Sequence, residues 1–330
     1  MSKDGSGPLP YLDSAAVAAA LSPPAAVEAI TEALRHGIDP AADVPRSAVT
    51  LRAGELLLMP SESGRYVGVK LATIAPANPA RGLPRISGTY VLFDADTLSP
   101  VAVLDGVALT TMRTPAVSVA AVRPWLAAVE RPLRLVVFGA GPQGQGHLRT
   151  LAALHALARV DVVVREPGRV RLPGVPLPTR VLRAGDPEVD SALRAADVVV
   201  CATTARTPLF DSDLLGSGCV LIAVGSHEPD AREVDAAFCR RATVVVEDLA
   251  TARRECGDVA MAETEGALDG RSLVPMREIA LGRTKLEAGP VLFKGCGMSW
   301  EDLVVAEAVL LEAVLTGTVV MPSMAGRSSL

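Results

Sequence analysis

The hexapeptide Gly139-Ala140-Gly141-Pro142-Gln143-Gly144 is the densest local signal for chemistry in the sequence. It follows the apolar run RLVVF and precedes a helical segment around GHLRTLAAL, giving the order strand, glycine turn, helix. Such a turn suits a pyrophosphate. The first glycine permits the bend, the second admits the backbone close to the anion, and the helix N-terminus offers unpaired N–H groups. The residue that meets the adenosine ribose should lie roughly 20 residues further on, where the chain reads Val163-Val164-Arg165-Glu166. Arginine there suits the 2′-phosphate of NADP(H), and a carboxylate the 2′-hydroxyl of NAD(H). Arg165 comes first, so NADP(H) is favoured over NAD(H), which Glu166 leaves open.

A nicotinamide enzyme also needs an anchor for its substrate and a group that exchanges the proton partnered with hydride. Of 32 basic residues only Lys3, Lys70, Lys285 and Lys294 are lysines. Lys70 sits in the otherwise uncharged run YVGVKLATI, where a lysine is costly unless paired or used. Arg113 opens RTPAVSVAA, and Arg46 begins RSAVTL. If these three converged on one pocket, they would hold a small carboxylate in a fork. No metal is expected. Cys201, Cys219, Cys239, Cys256 and Cys296 form no CxxC pair, and His36, His147, His155 and His227 complete no ligand spacing. Widely spaced cysteines of odd number point to a reducing cytoplasm rather than a disulfide framework.

The elements that must position these residues fall into two textures. After a helix opened by Ser22-Pro23-Pro24 and closed near Gly37, the runs RSAVTL, ELLLMP, YVGVKLATI, ISGTYVLFD and PVAVLD are separated by short turns, as in an antiparallel sheet. Residues Leu109–Val122 read as a helix. Beyond Pro132, RLVVFGA, RVDVVVR, ADVVVCATT and GCVLIAVGS are continuously apolar, the mark of strands buried on both faces in a doubly wound parallel sheet. Pro167, Pro173, Pro176 and Pro178 leave no room for a helix between Arg165 and Val181. A last helix runs from about Trp300 to Leu315, after the strand-like PVLFKG. The 330 residues suffice for two domains, and 49% hydrophobic against 21% charged residues describes a globular chain. A formal charge of −5 and 3% aromatics argue against nucleic acid as a partner. No apolar run reaches the roughly 20 residues of a membrane helix, and the Ala-rich segment Ala15–Leu21 lacks the basic flank of a signal peptide.

The segments GELLLMP, VGVKLATIAPANPARGLP, DGVALTTMRTPAVS, VVFGAGPQG, ADVVVCATT, GSHEPDAREVD and VLFKGCGMSWEDL occur in this order along nearly the whole chain. In them the sequence resembles the ornithine cyclodeaminase/mu-crystallin family. The resemblance implies a discontinuous α+β domain for substrate and dimerisation, residues 1–120 and 302–330, with a Rossmann domain, residues 121–301, inserted into it. It also implies a homodimer. The family's carboxylate-binding and catalytic positions fall on Arg46, Lys70 and Arg113, and its cofactor loop on Gly139, Gly141 and Gly144. Thr203 and Thr204 match the turn beside the dinucleotide, while Gly225, Ser226 and Gly297 match the nicotinamide side. The family holds cyclodeaminases, alanine dehydrogenase, ketimine and imine reductases, and non-enzymatic crystallins, so fold alone does not decide function. One departure separates the branches. Cyclodeaminases and the alanine dehydrogenase carry an aspartate in the turn after the fifth Rossmann strand, and here the aligned residue is His227. Asp230 lies three residues later, beyond Pro229. Histidine can donate a proton near neutral pH, which suits reduction of a preformed imine. The expected activity is therefore NAD(P)H-dependent reduction of a small α-imino acid to the L-amino acid. The alternatives are a cyclodeaminase, an amino-acid dehydrogenase, or a dinucleotide-binding protein without turnover.

Overall fold

Alternating and continuous apolar patterns build two different sheets. The structure is a computed structural model that describes residues 8–172, 178–268 and 273–319. Pro173 and Pro176, and residues 320–330 of the C-terminal segment, lie outside the described residues.

The chain packs as two units, one of residues 1–33, 42–113 and 298–330, the other of residues 34–41 and 114–297. The first begins with β1 (Tyr11–Leu12), α1 (Ser14–Ala20) and α2 (Pro23–Arg35). It continues through β2 (Ser47–Leu51), β3 (Gly54–Glu62), β4 (Tyr66–Ile74), β5 (Ile86–Asp94) and β6 (Pro100–Asp105). These strands form one sheet in the order β1-β6-β5-β4-β3-β2, antiparallel except for β1 beside β6. The alternation in YVGVKLATI is carried out literally: Tyr66, Gly68, Lys70 and Ala72 are buried, while Leu71 and Thr73 face outward. The short β1 and the helix α1 escape sequence reading, because two residues carry no periodicity and an Ala-rich stretch is ambiguous.

Helix α3 (Gly106–Ala127) is longer than the expected Leu109–Val122. Its start is set by Asp105, whose carboxylate accepts from the backbone N–H groups of Val107 and Ala108. Pro115 and Pro124 lie inside it, each removing one helical hydrogen bond.

The second unit holds β7 (Leu133–Phe138), α4 (Pro142–Leu154), β8 (Leu157–Val164), β9 (Thr179–Arg183), α5 (Pro187–Ala195) and β10 (Val198–Cys201). It continues with β11 (Val220–Ala223), α6 (Ala236–Arg241), β12 (Thr243–Val246), α7 (Leu249–Glu255) and α8 (Gly257–Thr264). It closes with β13 (Val274–Pro275), α9 (Met276–Ala280) and β14 (Val291–Lys294). All eight strands pair in parallel, in the order β13-β12-β14-β11-β10-β7-β8-β9. Strand order reverses beside β7, so the carboxyl ends of β7 and β10 form the crevice where doubly wound sheets take ligands. Between β8 and β9 the described residues hold one 3-10 turn, Pro167–Arg169, and no α-helix, as the prolines require. Helix α10 (Ser299–Leu315) returns to the first unit and packs on β3 and β4.

Candidate functional site

Lys70 and Tyr90 are direct cross-strand partners, and Met59 pairs with Lys70 from the other side. Ser47 pairs with Leu58. Arg46 directly precedes β2, one residue beyond the paired register. Arg46 is half-buried.

The buried face of the row formed by Met59, Lys70 and Tyr90 meets the first turn of α10. Lys70 Nζ donates to Asp302 Oδ2 at 2.6 Å and to Thr110 Oγ1 at 3.4 Å. Arg113 Nη1 donates to Glu301 Oε2, and its Nε lies 3.4 Å from Asp302 Oδ1. Glu301 Oε1 accepts from the backbone N–H of Met298, so the same carboxylate caps the helix and holds the arginine. Asp43 accepts from Ser61 Oγ at 2.7 Å and from the Trp300 N–H at 3.0 Å, fixing the start of α10. Two cations and two carboxylates are thus locked together with almost no solvent contact. Burial pushes the Lys70 ammonium down, against the pull of Asp302, to about 8. A lysine there exchanges protons near neutral pH, which an exposed one does not.

Sequence reading finds Lys70 and Arg113 but misses Glu301 and Asp302. In GMSWEDL they look like the acidic first turn of any helix. The available signal was their position: an acidic pair directly before the apolar run LVVAEAVLL, at a helix start that follows a buried strand.

In the second unit the glycine loop has the geometry of a pyrophosphate cradle. Gly139 has φ +99°, and a Cβ there would lie 2.4 Å from the Ala202 carbonyl oxygen, so the loops after β7 and β10 touch. A Cβ on Gly144 would meet the Gly139 carbonyl oxygen at 2.0 Å. At Gly141 the space is open, and this residue caps α4 without a side-chain hydrogen bond. Ala140 and Pro142 complete the loop. Gln145 Nε2 donates to the Ala140 carbonyl at 2.8 Å. His147 Nδ1 lies 2.8 Å from the Gln143 carbonyl oxygen, and burial pulls this imidazole down to about 4, keeping it neutral. Open backbone at the second glycine, at a helix start that no side chain caps, fits a dinucleotide phosphate.

Arg165 is exposed at the end of β8. Glu166, the alternative ribose contact expected from the sequence, is engaged by Arg169 at 2.9 Å. Arg183, at the end of β9, donates to the Arg165 carbonyl at 3.0 Å.

In the turns matched to the dinucleotide and to its nicotinamide side, the hydroxyls of Thr203 and Ser226 are already engaged within the protein. The Thr203 hydroxyl donates to Glu233 Oε1 at 2.7 Å, and the Ser226 hydroxyl to the Ala231 carbonyl at 2.7 Å. Thr204 is exposed. Gly297 has φ +81° and donates its N–H to Glu247. His227 is exposed in the turn after β11. Its neighbours Glu228 and Asp230 are both held by Arg206, at 2.5 and 2.6 Å.

The sequence pattern of the "Ornithine cyclodeaminase/mu-crystallin family" matches residues 12–316. The chain is 33% identical over 298 residues to a Delta(1)-pyrroline-2-carboxylate/Delta(1)-piperideine-2-carboxylate reductase of Azospirillum brasilense, covering 90% of this chain and 93% of that one. It is 31% identical over 297 residues to Delta(1)-pyrroline-2-carboxylate reductase 2 of Burkholderia ambifaria, covering 89% and 93%. In fold it is similar to the Delta(1)-pyrroline-2-carboxylate reductase of Thermococcus litoralis in complex with NADH and L-proline. There the TM-score is 0.82 at 23% identity, over 96% of this chain and 100% of that one.

Proposed function

The chain belongs to the ornithine cyclodeaminase/mu-crystallin family, and we propose that it is an NAD(P)H-dependent reductase of a small α-imino acid. The substrate class is a cyclic ketimine carboxylate and the product its L-amino acid, as the names of its relatives suggest. The observation that carries the reading is Lys70, buried and paired with Asp302 at 2.6 Å, with a pKa drawn to about 8.

When bound, the dinucleotide supplies a hydride to the imine carbon. Lys70 Nζ hydrogen-bonds the imine nitrogen and donates the proton that the nitrogen takes up. Asp302 keeps the ammonium form populated at neutral pH and fixes its direction. Arg113, held in place by Glu301, and Arg46 grip the substrate carboxylate and so set which atom meets the lysine. Gly139, Gly141 and Gly144 with Ala140, Pro142 and Gln143 would hold the pyrophosphate. Thr203 and Thr204 would lie beside the dinucleotide, and Gly225, Ser226 and Gly297 would shape its nicotinamide side. His227 is a second group able to supply a proton. Asp230, already committed to Arg206, does not replace the aspartate of the deaminating branches.

Arg165 carries a preference for NADP(H) over NAD(H), supported by the surface contact that Arg169 makes with Glu166. A charge-assisted contact contributes about 1.5–3 kcal/mol. Arg165→Ala is therefore expected to weaken NADPH binding by about 10- to 150-fold and leave NADH nearly unchanged. Equal losses for both, or a wild type that prefers NADH, would show that Arg165 does not select the cofactor.

The family resemblance and one open sheet face support a homodimer built on the first unit. Val49, Leu51 and Leu71 are exposed on the face opposite Lys70, an apolar surface of the kind that subunits cover. The five cysteines, all free thiols, suit a reducing cytoplasm. The reading is tested by NADPH oxidation on adding 1-pyrroline-2-carboxylate or 1-piperideine-2-carboxylate. Cofactor binding with no turnover on any imino acid of a broad panel would favour a dinucleotide-binding protein instead.

A further inference from the structure

The second unit buries a charged network that touches none of the loop residues read from the glycine fingerprint. Glu233 has no solvent exposure. Its Oε1 accepts from both the Thr203 N–H, at 2.8 Å, and the Thr203 hydroxyl, at 2.7 Å. Its Oε2 accepts from the Gly225 N–H at 2.7 Å. One carboxylate therefore ties the turn after β10 to the turn after β11. The fit is close: a Cβ on Gly225 would lie 2.1 Å from the Thr203 carbonyl oxygen and 2.6 Å from Glu233 Oε1.

Glu233 is itself fixed from behind. Asp258 Oδ1 accepts from the N–H groups of Glu233 and Val234, each at 2.8 Å. Lys294, at the end of β14 and fully buried, lies 3.0 Å from Asp258 Oδ2 and donates to the Ser226 carbonyl at 2.7 Å. Burial opposes its charge, but Asp258 and Glu233 outweigh that and hold the ammonium above its ordinary range. A second buried carboxylate, Glu247 after β12, repeats the device on the neighbouring turn. It accepts from the N–H groups of Cys296 and Gly297, each at 3.0 Å.

A buried carboxylate is costly without partners. Here it has three donors, all from turns at the carboxyl ends of adjacent strands. Strand packing alone would place those strands without it, since their ladders are complete. What the network adds is a defined separation between the turns.

We propose that Glu233 is a positioning residue for the nicotinamide half of the dinucleotide. It never meets the cofactor; it sets the spacing of the Thr203 and Gly225 turns, with Asp258 and Lys294 as its anchor. The inference rests on the reading that these turns receive a dinucleotide.

The test uses the full-length protein and two kinds of probe. NADPH and NADH span both halves of the site, whereas adenosine 2′,5′-bisphosphate and AMP occupy only the adenine half. Glu233→Gln keeps the size of the side chain but turns an amide NH2 toward backbone N–H donors. Titration calorimetry is expected to show the complete dinucleotide weakened by about 10- to 100-fold, the worth of a hydrogen bond to a charged group, with the fragments unchanged. Equal weakening of dinucleotide and fragment would mean a general loss of the fold, and no weakening of either would mean that the turns keep their spacing without Glu233. Each result overturns the inference. Should Glu233→Gln not fold, Thr203→Val removes one of the three donors. It is then expected to lose a smaller factor, about 3- to 10-fold, again for the dinucleotide alone; unchanged dinucleotide binding would overturn the inference. If the wild type binds neither probe, the dinucleotide reading itself fails. A wild type that binds both, with a variant that binds both equally well, fails only the role of Glu233.

Discussion

Lys70→Arg is expected to fold and to bind NAD(P)H as the wild type does, and to lose about 100- to 10,000-fold in kcat for imine reduction, the contribution of a positioned general acid. The glycine loop proposed to hold the dinucleotide belongs to the other unit, so the two readouts separate. A guanidinium keeps the charge but gives up no proton in a protein. The Lys70 ammonium, drawn to about 8 by burial, does so within the working range. The sign follows. Reduction requires the protonated amine, so kcat/KM should fall as pH rises through about 8. Oxidation of the amino acid requires the neutral amine and should rise through the same pH. Steady-state rates between about pH 6 and 10, spanning that group's titration, check both limbs. Near-normal turnover of Lys70→Arg, or a wild-type profile flat through that region, would leave Lys70 a packing residue.

Asp302→Asn tests the other half of the same pair. Removing one partner of a buried ion pair costs about 3–5 kcal/mol of stability when the remaining charge stays buried. Lys70 can escape part of that cost by releasing its proton, because Asp302 is the strongest influence raising its pKa. The alkaline limb of the reduction profile should therefore move below the wild-type value of about 8, with activity partly recovered on acidification. Arg113 also loses its contact with Asp302 but keeps Glu301, so KM for the imino acid should change less than kcat. A loss of activity equal at every pH would indicate collapse of the site rather than a shifted lysine.

Lys70 was legible because two independent features met on it: a lysine in a chain that uses arginine almost everywhere, and a position inside an uncharged strand. The two sheets were legible for a similar reason. YVGVKLATI alternates and RLVVF does not, and the physics of one-sided and two-sided burial follows directly. The carboxylates that complete both clusters were not legible. Asp302 stands 232 residues from Lys70, and Glu233 is 30 residues from Thr203. A lone acidic residue beside Arg or Asp, as in AREVD, carries no mark of burial in the sequence. Lys294 shows the same limit from the other side. It was counted as one of few lysines, yet only the structure reveals Asp258 and the Ser226 carbonyl around it. The strands TRVLR and TVVV escape sequence reading because arginines interrupt the apolar run of the first and charged residues flank the four residues of the second. The extra turns of α3 depend on the Asp105 cap, which looks in sequence like the end of a strand.

Comparison of two reactions of the family on a single preparation tests the central claim most directly. The purified protein is offered 1-piperideine-2-carboxylate or 1-pyrroline-2-carboxylate with NADPH, and separately L-ornithine or L-lysine with catalytic NAD+. The account predicts rapid NADPH oxidation with formation of the cyclic L-amino acid, and little or no ammonia from the diamino acids. The family resemblance implies that His227 takes the place of the aspartate of the deaminating branches, and Asp230 is tied to Arg206. Ammonia release faster than imine reduction would contradict it.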